Sequence, residues 1–502
     1  MSRTLPRLMI LSACLLLPMM GSTAFGFDFS ELEEAVTEHT LENGLKIIVM
    51  ERHDAPVASF MTFANVGGAN DPKEYTGLAH MFEHMAFKGT TTLGTTDLEK
   101  ELVAMRVEDS IFNELRAERK KGRRADSTRL AELETAFDEA IEAANEFVVA
   151  NEFAHIFEKE GAEGLNAGTG KDLTIYMMSL PSNKAELWMA MESERFLNPV
   201  LREMYRERNV VAEERRQVLD NNPISRTVDA LVSSAFTAHP YGVSIVGHMS
   251  DIQNFNREAA MKYYRKYYVP SNLIICIVGD VKAKDIIKLA EKYWERIPAS
   301  PSPEVLATIE PEQKGERRVE LEDPAQPFLV AGYHVPDGTH PDWPIVDALA
   351  DYLGQGRTSL LYKNLVKEKK IAANVGVYPG YPGNKYPCLC LVYAVPAAGH
   401  TNEECEEQIF AEVKWLQNEL IPVEEVEKIR ARARAGFING LTSNMGLAMQ
   451  LSVFQNDWGD WRELFRELDR INAVTPEDIQ RVAKKYFIKS NRTVAKLNTI
   501  ES

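Results

Sequence analysis

Hydrophobic and polar positions divide this chain into short apolar runs and longer amphipathic stretches, which predict strands and helices respectively. After an acidic lead over residues 30–38, the run Thr40-Leu41-Glu42-Asn43-Gly44-Leu45-Lys46-Ile47-Ile48-Val49 predicts two strands around an Asn-Gly turn. Val57 to Val66 predicts another strand, Gly67 to Pro72 a loop, and a helix follows within Thr76–Thr90. In that helix Leu78, Ala79, Met81, Phe82, Met85 and Phe87 are apolar, so it is expected to be largely buried. Leu173 to Leu180 predicts a strand, and a helix starting near Pro181-Ser182-Asn183 runs to Leu197.

Residues 98–158 differ in character, being rich in Glu, Ala, Lys, Arg and Leu. Leu98, Leu102, Met105, Phe112 and Leu115 recur near helical spacing. Lys120-Lys121-Gly122-Arg123-Arg124 breaks the pattern, and Asp126 or Ser127 can cap a second helix through Leu130, Leu133, Phe137 and Ile141. We read an inserted helical hairpin whose charges form a solvated face, with a docking arm for a partner as the alternative.

The chain also repeats itself. Glu258, Lys266, Tyr267, Ser271 and Asn272 recur as Glu477, Lys485, Tyr486, Ser490 and Asn491 at a constant offset of 219. Each block predicts a helix followed by a strand, so two similar halves are implied. The Pro- and Ser-rich run from Ile297 begins the linker between them. The expected organisation is a first domain over 27–296, a linker over 297–316 and a second domain over 317–502.

The net charge of −17 argues against a nucleic-acid partner. Arg3 and Arg7 precede an apolar run, Leu8 to Met20, and Ala24-Phe25-Gly26 offers a cleavage site. Residues 1–26 thus read as a signal peptide for export, with the periplasm the expected destination. The rival reading is a lipoprotein signal that acylates Cys14. No later stretch is long enough to span a membrane. Cys276, Cys388, Cys390 and Cys405 form no CxxC pair and are expected to be core residues or one bridge, not a zinc site.

The chemistry is concentrated in His80-Met81-Phe82-Glu83-His84. On a helix His80, Glu83 and His84 project together, so two imidazoles can bind Zn²⁺ while the Glu takes a proton from a water on the metal. This is the H-x-x-E-H order. A catalytic zinc needs a third protein ligand. The candidate source is the acidic helix around Arg206-Glu207-Arg208-Asn209-Val210-Val211-Ala212-Glu213-Glu214, where Glu207 and Glu214 share a face.

These segments resemble the inverted zincins related to pitrilysin, insulin-degrading enzyme and mitochondrial processing peptidase, and are most similar to the bacterial processing-peptidase-like branch. The resemblance implies an α+β fold of two homologous α/β-roll domains, each a mostly antiparallel sheet with helices packed on one face. The helical hairpin would be inserted in the first domain, and the second would lack a metal site. It further implies one Zn²⁺ per chain held by His80, His84 and Glu214, with Glu83 as general base and Glu207 as supporting glutamate. Glu213 is the alternative ligand. Asn166 and Ala167 resemble the edge strand on which family members hold substrate.

Two departures stand out. Glu214 follows His84 by 130 residues, roughly fifty more than the family pattern carries, which the hairpin supplies. The Arg and Tyr that active members carry in the second half fall on Val366 and Ala373 here. The function expected is a zinc metalloendopeptidase for extended or unfolded peptides. It would be the catalytic subunit of a heteromeric protease whose paralogous subunit supplies the Arg and Tyr. A homodimer and a non-catalytic scaffold subunit are the alternatives.

Overall fold

The computed structural model describes residues 29–500, so the expected signal segment and Cys14 lie outside the described residues. The first sheet contains β1 (Val36–Thr40), β2 (Lys46–Glu51), β3 (Val57–Ala64), β4 (Glu163–Thr169), β5 (Thr174–Pro181) and β6 (Leu273–Gly279), in the order β1-β2-β6-β3-β5-β4. Only β2 and β6 pair in parallel. The second contains β7 (Arg317–Asp323), β8 (Phe328–Val335), β9 (Ala372–Tyr381), β10 (Cys388–Pro396) and β11 (Arg492–Thr499), in the order β7-β11-β8-β10-β9. Here β11 and β7 are the parallel pair. The fold is α+β with mostly antiparallel sheets, as expected. The acidic lead is more ordered than its composition suggests. Ser30–Glu34 is a helical turn, and β1 starts at Val36 because β2 extends to Glu51 and offers Met50 as its partner.

Successive strand residues face opposite sides of a sheet. On β2, Ile47 and Val49 enter one core while Ile48 and Met50 enter another, and β3 and β6 repeat the division. Both faces of the first sheet are therefore buried. Helices of the first half cover one face. Leu447, Leu451, Trp461 and Leu464 of the second half cover the other. In return, Leu231, Val232 and Ala235 from the helix Pro223–Ala235 enter the core of the second sheet. To the expected helices on one face the structure adds a helical cover from the opposite half, so each half completes the other's core.

The 219-residue repeat is structural as well as sequential. The helices Arg257–Tyr267 and Pro476–Tyr486 keep the offset at both ends. Asn272 Nδ2 donates to the Tyr267 and Asn65 carbonyls at 2.9 and 3.1 Å. Asn491 Nδ2 donates to the Tyr486 and His334 carbonyls at 2.7 and 2.8 Å. In each half one amide ties a helix end to the adjoining strand region.

The hairpin consists of the helices Leu98–Arg119 and Ser127–Asn145 packed against each other, and a short helix, Glu152–Lys159, follows. Of the two cap candidates Asp126 takes the role, accepting from the Thr128 and Arg129 N–H groups at 2.9 and 3.2 Å. Cys276, Cys388, Cys390 and Cys405 are buried free thiols, which settles their reading as core residues rather than a bridge.

Candidate metal centre

The helix bearing the motif spans Leu78–Met85 and is fixed at its N-terminus by side chains the sequence reading did not single out. Asp71 accepts from the Gly77 and Ala79 N–H groups at 2.7 and 2.8 Å, satisfying donors that the first turn leaves open. Burial pushes the Asp71 carboxyl up to about 7, against the pull of those two donors. Thr76 Oγ1 donates to Asp251 at 2.6 Å and accepts from the His248 N–H at 2.8 Å. Between these contacts the backbones of Gly77 (φ +91°) and Gly247 (φ +77°) cross so closely that a Cβ on Gly247 would collide with the Thr76 carbonyl.

This anchoring presents His80 and His84 side by side, their ring centroids 4.9 Å apart and nearly perpendicular at 83°. Glu214 comes from the helix Met204–Arg215. Its Oε2 lies 3.6 Å from His80 Nε2 and 3.5 Å from His84 Nε2. One ligand atom from each of the three residues falls within 4.8 Å of the others. A tetrahedral zinc with bonds of roughly 2.0–2.1 Å places its ligand atoms about 3.3 Å apart. The two imidazoles and the carboxylate therefore fit such an ion in both spacing and donor type. Glu213 instead turns away to Arg216, at 2.7 Å. Of the two candidate glutamates, Glu214 is the one beside the histidines. Glu83 lies on the motif helix between them, and its charge acts on both imidazoles.

The histidines differ in environment. Burial lowers the pKa of His80, partly opposed by Glu214, and its Nδ1 is buried without a hydrogen-bond partner among the described residues. Neutral imidazole, the form that ligates a metal, is thereby favoured. His84 shifts upward because its hydrogen bond with Glu207 outweighs burial. The His84 Nδ1 to Glu207 Oε2 distance is 3.4 Å, and Lys88 Nζ reaches Glu207 Oε1 at 2.5 Å and Glu203 Oε2 at 3.1 Å. Burial alone would raise the Glu207 carboxyl, but its bonds to His84 and Lys88 hold it low. Lys88 lies beyond the C-cap of the motif helix, so its approach to Glu207 depends on tertiary packing and leaves no periodic signal in the sequence.

Asn166 and Ala167 lie on β4, an edge of the first sheet, beside the motif helix. Asn166 is exposed and Ala167 half-buried. In the second half Val366 packs partly buried against the core, and Ala373 is exposed on the edge strand β9. Neither supplies a polar side chain.

Residues 46–111 and 145–248 match the family model described as Insulinase (Peptidase family M16). Residues 254–433 match that described as the Peptidase M16 inactive domain. The interruption of the first match falls on the hairpin. The zinc protease PqqE of Helicobacter pylori is 27% identical over 97% of both chains. The mitochondrial-processing peptidase subunit beta of Lentinula edodes is 22% identical over 92% of this chain and 90% of its own. A protease from Helicobacter pylori has a solved structure that superposes with a TM-score of 0.77 at 25% identity, over 92% of this chain and 99% of that one. Among the described residues no helix is long and apolar enough to cross a membrane. With both halves of the fold matched, this chain belongs to the pitrilysin-like M16 family of peptidases.

Proposed function

We propose that this protein is a zinc-dependent endopeptidase acting on extended or unfolded peptides. The observation that carries the reading is the convergence of His80, His84 and Glu214, with Glu83 on the same helical turn as the histidines. The three converging residues would hold one Zn²⁺ per chain. When bound, the ion supplies a Lewis acid that polarises a peptide carbonyl and makes a water molecule more acidic. Glu83 accepts the proton of that water and delivers it to the departing amine. Glu207 orients His84 from behind, and Lys88 keeps Glu207 ionised. The peptide lies along the β4 edge near Asn166 and Ala167, where backbone pairing selects extended chains without reading much sequence.

The second half lacks the Arg and Tyr that the family resemblance leads one to expect, with Val366 and Ala373 in their places. A paralogous chain would supply them, making this protein the zinc-carrying subunit of a heteromer. The relative named as a processing-peptidase subunit is consistent with that arrangement. Residues 1–26 would direct the chain to the periplasm. The same missing pair favours a second reading, a non-catalytic binding subunit.

Metal content and cleavage of an unstructured peptide decide between the readings. About one zinc per chain, with cleavage that appears or rises on adding the paralogous chain, is expected. Full cleavage by the isolated chain would remove the need for that partner. Stoichiometric zinc without cleavage in either setting would favour the binding subunit.

A further inference from the structure

A cleft of about 480 Å³ lies where the hairpin meets the helix Met204–Arg215. Arg208, Asn209 and Ala212 line it from that helix. They lie roughly 100–200° around the helix from Glu207 and Glu214, so the cleft backs onto the metal cluster without sharing its residues. The hairpin contributes Arg116, Arg119 and Lys120, and the short helix Met249–Ile252 and the residues just after it contribute Ser250, Gln253 and Asn254. Among the described residues no carboxylate lines the cleft, although the chain has 74 acidic against 57 basic residues.

Arg208 is the telling group. It is 8% exposed, and its Nη1 is buried with no hydrogen-bond partner among the described residues. Its guanidinium is held over the rings of Phe112, Tyr205 and Phe137 at 4.8, 5.2 and 5.6 Å. Glu108, whose charge acts on it, is hydrogen-bonded instead to Arg257, at 2.7 Å. Burial lowers the guanidinium only to about 10, so it stays charged at neutral pH. Ring contacts recover part of the cost of burying that charge, yet a buried N–H on a cation ordinarily has an acceptor. Arg119 pairs with exposed Glu134, at 2.8 Å, and Lys120 is exposed. Arg116 is held by Asn254 and by the Tyr75 hydroxyl at 2.7 Å.

We propose that this cleft binds a small anion carrying two or more phosphoryl groups, with Arg208 as the buried contact and Arg116, Arg119 and Lys120 around the rim. Guanidinium forks match phosphate oxygens two at a time, and several cations around one cleft suit a multiply charged ligand. The space exceeds what inorganic phosphate alone would fill. The proposal is independent of the peptidase reading.

Calorimetric titration of the full protein without added metal, at fixed ionic strength, tests it, using pyrophosphate, inorganic phosphate and adenosine triphosphate. One pyrophosphate per chain is expected, bound more tightly than inorganic phosphate. Adenosine triphosphate binding as well as pyrophosphate would locate recognition in the phosphoryl groups, and tighter binding would add a nucleoside to the same site. Arg208→Gln is expected to weaken pyrophosphate on the order of tenfold or more, the loss of one charged hydrogen-bonding group. The Arg119→Gln/Lys120→Gln double variant, confined to exposed positions, should weaken it several-fold and decides the matter if Arg208→Gln does not fold. No pyrophosphate binding, or binding unchanged in the folded variants, would overturn the proposal.

Discussion

His84 Nδ1 and Glu207 Oε2 are 3.4 Å apart, and the same carboxylate takes Lys88 on its other oxygen at 2.5 Å. The imidazole is thus held from behind while its Nε2 faces Glu214, 3.5 Å away. Such outer partners fix ring orientation and are worth about 10- to 100-fold in metal affinity. Glu207→Gln is therefore expected to weaken zinc by that factor in a competition titration against a chromogenic chelator, with the fold retained. Glu214→Ala, which removes a ligand, should weaken it further. If Glu214→Ala kept full affinity, the third ligand would have to be sought elsewhere.

Glycine is required where the motif helix crosses the 246–248 loop. Gly247 has φ +77°, and a Cβ there would overlap the Thr76 carbonyl. Gly247→Ala should cost several kcal/mol through backbone strain and displacement of the helix start. A fall in melting temperature together with loss of stoichiometric zinc is the expected result. An unchanged melting curve would mean that the crossing is not tight.

Arg202 and Glu101 form a buried pair, with Nε and Nη2 of the arginine at 2.7 and 3.1 Å from the two carboxylate oxygens. The guanidinium also donates to the Lys88, Leu93 and Thr90 carbonyls at 2.7, 2.8 and 2.8 Å. It therefore joins the foot of the hairpin to the turn that carries Lys88. Glu101→Leu leaves the buried cation uncompensated and should destabilise by about 3–5 kcal/mol. Adding Arg202→Met should recover part of that loss. Denaturant unfolding of the single and double variants measures the coupling.

Acid should destabilise the fold where His239 meets Tyr386 of the second half, their ring centroids 5.0 Å apart. Burial pushes His239 down to about 4, although Glu310 pulls the other way, and its Nδ1 accepts the Tyr241 N–H at 3.2 Å. The folded pKa lies below the unfolded value of about 6.5. Between those pH values the unfolded chain binds a proton that the folded chain does not, so stability rises with pH. His239 thus contributes fully above about 6.5, and its contribution is lost as pH falls towards 4. His239→Gln, which can still accept the Tyr241 N–H, should flatten the decline in melting temperature over this window. An identical decline in the variant would assign the acid sensitivity to other groups.

Much of this was legible in the sequence because it follows from short-range periodicity. The hairpin helices and the strands around Gly44 are local patterns, the 219-residue repeat shows as direct self-similarity of the chain, and the structure keeps all three. Likewise, the spacing of His80, Glu83 and His84 already implies one helical face. Less visible were contacts that depend on distant chain segments. Asp71 capping the motif helix, Arg202 gripping three carbonyls and Leu451 covering the opposite half's sheet are set by tertiary packing, which leaves no periodic trace. Arg208 is of this kind too. In sequence it is one charge among many, and only its burial against Phe112 and Tyr205 distinguishes it.

In the proposed function Glu83 moves the proton for a zinc centre made of His80, His84 and Glu214. Glu83→Gln tests it most directly, because the amide keeps the shape of the side chain and loses the base. Zinc content and cleavage of an unstructured peptide are measured on the same preparation, with the paralogous chain supplied if cleavage requires it. Zinc is expected to remain at about one per chain while cleavage falls by about 10²- to 10⁴-fold, the usual worth of a positioned general base. Undiminished cleavage with zinc in place would mean that Glu83 is not the base.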